Sequence, residues 1–305
     1  MAIVLFTQEA LAFASHSLRI ANSYPDLAVG LLILPSLLPP PVQKELLSRL
    51  LHRDLSDPVH QTNIHMFHDL PYPPAGAKRE HSSSSLQRPA FTPSAQQSST
   101  PPHPSFFTYP PTSTILFPPK DPSIHKPLSV TRFLNKSLRW CTLGGQYDWT
   151  AKLYPSAPPP TFPADTAQML TSLFPEIKAQ AAIVNLYSPG DTLSLHRDVS
   201  EESDKGLVSV SLGCECLFVV GLGEKGKDGG DYVTVRLRSG DAVVMSHEAR
   251  WAWHGVPKIL KGTCPEYLED WPAEYGKDGD EGKYEAWRGW MKSKRVNLNV
   301  RQMFD

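Results

Sequence analysis

The chain has 305 residues, of which 40% are hydrophobic and 20% are charged, and this is enough for one sizeable hydrophobic core. A formal net charge of −1 excludes any argument for nucleic-acid binding from total charge, so only a local basic patch could support it. The four cysteines are too few for a disulfide scaffold and favour a reducing compartment, and no stretch reaches the ~18 apolar residues of a membrane span.

The first 70 residues are expected to be helical and to pack on the core. The start, "MAIVLFTQEALAFAS", resembles a signal peptide but lacks a basic segment, and Gln8 and Glu9 interrupt its apolar run, so an N-terminal helix is predicted. A mitochondrial address is the alternative; otherwise we expect the nucleus, the cytoplasm or both. A second helix is predicted at 39–57, where prolines precede leucines at helical spacing.

Residues 71–127 differ in composition from the rest of the chain. Serine and proline dominate "HSSSSLQRPAFTPSAQQSSTPPHPSFFTYPPTS", which shows little apolar periodicity. Such a composition is typical of segments that cannot bury enough apolar surface to fold. We therefore predict a long loop or disordered insert, followed by a globular domain over 128–305.

The globular domain has the pattern of a mainly β fold. One helix is predicted at "FPADTAQMLTSLF", and short strand-like runs follow, separated by turn signals: "AAIVNLY", "LVSVSLG", "CLFVVGL", "DYVTVRLR", "AVVMS" and "WAWHGV". Consecutive strands without intervening helices favour an antiparallel double sheet or barrel. Residues 265–281 carry seven acids against one lysine and are interpreted as a solvated insert, before a predicted helix, "KYEAWRGWMKSK", and a last strand.

A histidine and an aspartate, His196 and Asp198, lie one residue apart in "LSLHRDVS". On an extended segment both side chains project to the same side, so both can reach one metal ion. Two histidines and one carboxylate form the facial triad of non-haem Fe(II) oxygenases. His254 is the predicted third ligand and His247 the local alternative. The competing interpretation is a surface pair without a metal.

The last strand, "RVNLNVR", alternates strictly between polar and apolar residues. Its polar face consists of Arg295, Asn297, Asn299 and Arg301. This face suits a small dicarboxylate, because a guanidinium forks onto a carboxylate. The alternative is a half-exposed strand with its polar face in water. Asn185 and Tyr187 share one face of "AAIVNLY" and can add hydrogen bonds.

Together these motifs resemble the AlkB family of Fe(II)- and 2-oxoglutarate-dependent dioxygenases. The resemblance lies in "NLYSPGDTLSLHRDVSEESDKGLVSVSLG", "LRSGDAVVMSHEARWAWHGVP" and "RVNLNVRQMF". A further stretch, "LRWCTLGGQYDWTAKLYP", is similar to the branch of the first AlkB homologue in a fungal-looking form. The resemblance covers 128–305 and, more loosely, the helix near 41–55. It implies a mainly β (α+β) fold with flanking helices around a double-stranded β-helix, or jelly-roll, core.

The resemblance also implies roles for individual residues. The matching positions are His196, Asp198 and His254 for Fe(II), and Asn185, Tyr187, Arg295, Asn297 and Arg301 for 2-oxoglutarate. Arg295 is implied to pair with the distal carboxylate, and Arg301 to brace the catalytic site near the iron-binding carboxylate. With O2 as the other co-substrate, the implied reaction demethylates a base such as N6- or N1-methyladenine in RNA or DNA and releases succinate, CO2 and formaldehyde.

The segment just before the predicted strands is aromatic and basic. Its aromatic residues are Trp140, Tyr147, Trp149 and Tyr154. We predict that Trp140, Tyr147 and Trp149 bind the substrate, since aromatic rings stack flipped bases, although some could instead plug the sheet. Residues 120–152 carry six cations against two acids, which fits a phosphate-contacting edge or a solvated basic face.

Three functions therefore compete. The first is a nucleic-acid demethylase, the second is an oxygenase of the same fold that acts on a protein or small molecule, and the third is a non-catalytic interaction module. The complete set of metal ligands argues against the third function, and the aromatic and basic edge favours the first over the second. We expect methylated RNA or DNA as the partner and a monomeric protein.

Overall fold

The computed structural model describes residues 30–74, 103–148, 150–151, 153–223, 232–273 and 282–305. The helices of these residues are α1 (Pro40–Ser48), α2 (Val130–Arg132), α3 (Ala164–Leu173) and α4 (Glu266–Glu269). The strands are β1 (Leu31–Leu34), β2 (Leu116–Phe117), β3 (Leu128–Ser129), β4 (Trp140–Gly144), β5 (Ala181–Tyr187), β6 (Leu193–His196), β7 (Leu207–Gly213), β8 (Cys216–Gly221), β9 (Tyr232–Leu237), β10 (Ala242–Met245), β11 (Trp253–Ile259) and β12 (Arg295–Arg301). No helix of the described residues is long and apolar enough to cross a bilayer.

Two antiparallel sheets form the body of the fold. The major sheet has the strand order β1–β10–β7–β12–β5–β4, and the minor sheet has the order β6–β11–β8–β9. Strands β2 and β3 pair separately. The predicted mainly β fold with a double-stranded β-helix core is confirmed by these two sheets and by the few helices around them.

Strand β12 lies in the middle of the major sheet, between β5 and β7. Every residue of β12 is buried, on the polar face as well as on the apolar one. The apolar face, which includes Val296, Leu298 and Val300, belongs to the hydrophobic core. The polar face is turned toward the interior between the sheets, so the alternative of a strand with its polar face in water is wrong.

The N-terminal segment contributes a strand as well as a helix. Prolines begin α1, as predicted, and the chain continues through one π-type turn, Arg49–Arg53, and one 3-10 turn, Asp54–Ser56. Ahead of it, β1 pairs with β10 at the edge of the major sheet. The expectation of a purely helical segment is therefore wrong at β1, because a run of four apolar residues has no periodicity that separates strand from helix. The helix predicted at the start of the chain lies outside the described residues.

Part of the predicted insert is packed. Phe106, Phe107 and Phe117 are buried in the core, and Phe106 contacts Phe117 and Phe133 with ring centroids 5.9 and 5.1 Å apart. The described residues 103–127 are largely loop, as one alternative predicted, but the alternative of a disordered insert is wrong for them. Composition averaged over a Pro/Ser-rich window hides single aromatic residues that bury a large area each. Residues 75–102 of the insert lie outside the described ranges.

Replacing Phe106 by alanine tests this packing. The side chain is fully buried, so its loss should lower the free energy of unfolding by about 3–5 kcal/mol. Denaturant unfolding of Phe106→Ala and of the control Phe67→Ala, whose ring is 44% exposed, measures the difference. Equal, small effects of the two substitutions would show that residues 103–117 do not belong to the core.

Two features near the C-terminus also differ from expectation. Leu268 and Trp271 are buried, so the described part of the predicted acidic surface insert packs on the core through α4; residues 274–281 of that insert are not described. The helix predicted at 283–294 is two 3-10 turns, Glu285–Trp287 and Met291–Ser293. Positive φ angles at Tyr284 and Gly289 end helical geometry, although the buried tryptophans follow helical spacing.

Candidate active site

Strands β6 and β11 place two histidines directly opposite each other. His196 and His254 are register partners across this antiparallel pair, and their ring centroids lie 4.4 Å apart. Asp198 follows β6 by two residues, and its carboxylate oxygens lie 3.9 Å from His196 Nε2 and 3.8 Å from His254 Nε2. One donor atom from each of the three residues lies within 4.8 Å of the others, a grouping that can hold a metal ion.

Backbone carbonyls fix the orientation of both imidazoles. His196 Nδ1 lies 2.9 Å from the Ser194 carbonyl oxygen, and His254 Nδ1 lies 3.1 Å from the Ala252 carbonyl oxygen. A carbonyl only accepts hydrogen bonds, so each Nδ1 carries the proton and each Nε2 presents a lone pair. The two lone pairs and the Asp198 carboxylate form the donor set of a facial triad.

The electrostatic environment keeps Asp198 and His254 in the protonation states that bind metals. Burial favours a neutral Asp198, but the Arg301 guanidinium, with His254 and His196, outweighs burial and holds the pKa of Asp198 well below its ordinary value. Burial lowers the pKa of His254 to about 4, although Asp198 opposes this shift. Near neutral pH the site therefore presents a carboxylate and an uncharged imidazole, the forms that bind metals.

The alternative ligand lies elsewhere. His247 is exposed in a 3-10 turn, with a φ of 48°, and its Nδ1 lies 3.1 Å from Ser246 Oγ. The structure therefore brings His254, and not His247, to the His196–Asp198 pair.

The polar face of β12 continues from this triad along the strand. At one end, Arg301 Nη2 lies 2.8 Å from Asp198 Oδ2, and Asn299 Nδ2 donates to the same oxygen at 3.5 Å. Next along the face, Asn297 Nδ2 donates to Ser209 Oγ and to the Val210 carbonyl. Arg301 thus braces the Asp198 carboxylate, as the resemblance implies.

Arg295 occupies the opposite end of the polar face. The residue is 1% exposed, its guanidinium donates to Ser211 Oγ at 2.8 Å and to the Cys214 carbonyl at 3.3 Å, and its Nε has no hydrogen-bond partner. Among the described residues no carboxylate lies within ion-pair distance of it. A buried cation without an anion is costly, so this environment fits a bound carboxylate.

The neighbouring strands place further predicted residues beside β12. Tyr187 is the register partner of Arg295, and Asn185 is the partner of Asn297 on one side and of Trp140 on the other. Paired residues in adjacent strands share a face of the sheet. Burial raises the pKa of Tyr187 to about 12, despite the opposing effect of Arg295, so its hydroxyl stays protonated and can donate to an anion.

Glu201 and Arg250 form a buried ion pair beside the triad that the sequence motifs do not predict. Arg250 is fully buried and donates to the backbone carbonyls of Asp198 and Lys205, while its Nη2 lies 2.9 Å from Glu201 Oε2. Glu201 also lies 3.4 Å from Arg301 Nε. Arg250 therefore ties the segment that carries Asp198 to the turn that precedes β11. These contacts join residues about 50 positions apart in the chain, so sequence spacing does not predict them. The available signal was the acidic residue Glu201, which lies shortly after the His196–Asp198 pair.

Removing the Arg250 side chain should affect both stability and metal binding. Breaking a buried ion pair costs about 3–5 kcal/mol, and Arg250→Met also releases the segment that positions Asp198. Unfolding experiments and titration with Co(II), a spectroscopic substitute for Fe(II), should show both losses. The control is Arg236→Met, because Arg236 pairs with Glu215 but is half-exposed. A variant with unchanged metal affinity would limit Arg250 to a structural role.

The predicted substrate residues lie at different distances from the site. Trp140 is half-buried in β4, in the cross-strand row with Asn185. Tyr147 lies closer to the triad, because its hydroxyl accepts a hydrogen bond from Ser200 at 3.3 Å, and its ring contacts Tyr154. Trp149 lies outside the described residues, as does Lys152 of the basic edge.

Comparison with known proteins identifies the family. The model of the 2OG-Fe(II) oxygenase superfamily matches residues 112–301, so the family domain begins before the predicted start at 128. The chain is 52% identical over 92% of its length to "N6-methyladenosine RNA demethylase ALKB1" of Pyricularia oryzae, and it covers 76% of that protein. It is 59% identical over 66% of its length to "N6-methyladenosine RNA demethylase ALKBH" of Cryphonectria parasitica and covers 91% of that protein.

A more distant relative is similar over nearly the whole chain. The sequence is 35% identical over 90% of its length to "tRNA demethylase abh1" of Schizosaccharomyces pombe and covers 80% of that protein. The domain match, these three fungal relatives and the double-sheet fold agree with the resemblance found in the motifs. The chain therefore belongs to the 2OG-Fe(II) oxygenase superfamily, within its AlkB family.

Proposed function

We propose that this protein is an oxidative demethylase of methylated nucleobases in nucleic acid, with N6-methyladenine in RNA as the first substrate to test. The observation that carries the proposal is the His196–Asp198–His254 triad, joined along β12 to a buried arginine without an anionic partner. The names of two relatives, at 52% and 59% identity, support the choice of substrate.

Different side chains of the site bind Fe(II) and 2-oxoglutarate. His196, Asp198 and His254 hold Fe(II) through the two Nε2 atoms and the carboxylate. The Arg295 guanidinium pairs with the distal carboxylate of 2-oxoglutarate, and the Tyr187 hydroxyl donates to it from the adjacent strand. When bound, the iron and 2-oxoglutarate supply the oxidising power that hydroxylates an N-methyl group with O2. The hydroxymethyl product then releases formaldehyde.

The exposure of the ligands indicates the side from which the substrate enters. The His196 side chain is 33% exposed, whereas those of His254 and Asp198 are 6% and 10% exposed. Among the three ligands, His196 is therefore the one that solvent and a substrate reach most easily. Tyr147 accepts a hydrogen bond from Ser200, two residues beyond Asp198, and we expect its ring to stack on a flipped base.

A panel of methylated oligonucleotides tests the proposal. The protein is incubated with Fe(II), ascorbate, 2-oxoglutarate and RNA or DNA strands that carry one methylated base each, and the nucleosides are quantified by mass spectrometry. We expect loss of N6-methyladenosine from RNA with equimolar succinate. Tyr147→Ala should reduce this conversion but spare the slower 2-oxoglutarate turnover without substrate. Succinate formation without conversion of any strand would favour the oxygenase that acts on a protein or small molecule.

A further inference from the structure

A second polar cavity lies apart from the iron site, where the final 3-10 turn leads into β12. It has a volume of about 420 Å³, and its lining includes Asn135, Ser188, Arg288, Trp290, Ser293 and Lys294. No acidic residue is among the described residues that line it. We refer to it as the Lys294 cavity.

The ammonium group of Lys294 is buried without a counter-ion. The residue is 7% exposed, and its Nζ donates to the Asn135 carbonyl and, at 2.7 Å, to Ser188 Oγ. An ammonium has three N–H donors, so one remains after these two hydrogen bonds, and the centroid of the Trp290 ring lies 5.5 Å from Nζ. No carboxylate of the described residues lies within ion-pair distance of Nζ. Burial lowers the pKa of Lys294 to about 8; Asp191 opposes this shift, and Arg139 and Lys136 add to it.

Other groups around the cavity are also donors. Ser188 Oγ accepts from Lys294, so its own hydrogen is available to a ligand. The Trp290 indole N–H is buried and has no hydrogen-bond partner, and the Ser293 hydroxyl lies at the exposed edge. Arg288 also lines the cavity, but its guanidinium is bound by Asp270 and Glu285, so Lys294 carries the charge of the site. A buried ammonium, a hydroxyl and an indole N–H, with no acid among the described lining residues, fit a bound anion.

An adjoining crevice, too narrow to hold a water molecule, continues from the Lys294 cavity. It shares Ser188, Trp290 and Lys294 with the first cavity and adds Lys136 and Arg139. Arg139 forms an ion pair with Asp191, and Lys136 is exposed. A strand that entered the Lys294 cavity would therefore pass basic side chains at its rim.

We propose that the Lys294 cavity binds a phosphate group. A phosphate presents oxygens in all directions and can meet donors from several walls at once, whereas a carboxylate presents only two oxygens in one plane. The site is separate from the co-substrate site, because Lys294 directly precedes Arg295 in extended backbone and successive side chains point to opposite faces. The phosphate belongs either to a nucleic-acid strand, which rests on the proposed function, or to a free phosphorylated compound.

Binding of inorganic phosphate to the full-length protein tests the site directly. Isothermal titration should give saturable binding to the wild type, and Ser293→Asp, which adds a carboxylate at the exposed edge, should weaken it at least about 10-fold. Lys294→Met should weaken it equally. The control is Lys292→Met, because Lys292 is exposed and pairs with Glu269 outside the cavity. Ser293→Asp keeps the test decisive if Lys294→Met does not fold.

Titration with an unmethylated oligoribonucleotide separates the two sources. A matching loss of oligonucleotide affinity in Ser293→Asp would assign the site to a strand phosphate, and loss of inorganic phosphate binding alone would assign it to a free phosphorylated ligand. Absence of saturable phosphate binding, or equal binding by Ser293→Asp, would overturn the proposal. Neither titration requires turnover, so a failure of the demethylation assay is a distinct result.

Discussion

Replacing Asp198 by alanine should abolish 2-oxoglutarate turnover. The carboxylate lies within 3.9 Å of both Nε2 atoms and 2.8 Å from Arg301 Nη2, so its loss removes a metal ligand and leaves a buried guanidinium without its nearest anion. We expect succinate formation to fall to background and the affinity for Fe(II) or Co(II) to fall with it. Some loss of stability should accompany this, since breaking a buried ion pair is strongly destabilising, although Glu201 remains near Arg301.

Comparing three other substitutions separates ligation from stability. Asp198→Asn keeps the shape of the side chain but removes the charge, so it should fold better than Asp198→Ala and still fail to turn over 2-oxoglutarate. His254→Ala should be equally inactive, and His247→Ala should retain activity, because His247 lies outside the triad. Succinate production by His254→Ala, together with its loss in His247→Ala, would reverse the assignment of the third ligand.

Replacing Arg295 should mainly impair the binding of 2-oxoglutarate. A charge-assisted contact is worth about 1.5–3 kcal/mol, so Arg295→Met should raise the KM for 2-oxoglutarate at least about 10-fold. Methionine fills much of the buried volume, which limits the loss of packing. Arg295→Lys should rescue binding poorly, because an ammonium cannot reproduce the two parallel hydrogen bonds of the guanidinium.

The matched control is Arg238→Met, because the Arg238 side chain is 64% exposed. Initial rates of succinate formation and direct titration of 2-oxoglutarate should agree for each variant. An Arg295→Met protein with normal affinity for 2-oxoglutarate would show that another cation anchors the co-substrate, and the assignment of this end of β12 would be wrong.

The site was more predictable from the sequence than its surroundings were. Alternation along a strand follows from backbone geometry alone, so the shared face of Arg295 and Arg301, and that of His196 and Asp198, could be predicted without the fold. Burial of that polar face could not, because it depends on the second sheet. Arg250 was missed for a similar reason, since its partners are distant in sequence.

The errors in the fold have local causes. Phe106 lies among prolines and serines, and its burial depends on Phe117 and Phe133 rather than on its neighbours. At 283–294 the spacing of the tryptophans is helical, but a glycine with a φ of 80° separates two single turns. The spacing of apolar residues indicates which side chains are buried. It does not indicate whether a hydrogen-bonded helix continues between them.

Both histidines of the triad are oriented by the carbonyl of the residue two positions earlier in the chain. In many metal sites a carboxylate side chain does this work, and a single mutation can remove it. A backbone carbonyl is present whatever the side chain is. A substitution at Ser194 therefore does not remove the acceptor that keeps the proton on His196 Nδ1. The orientation of both imidazoles of the triad therefore tolerates changes in the side chains of Ser194 and Ala252.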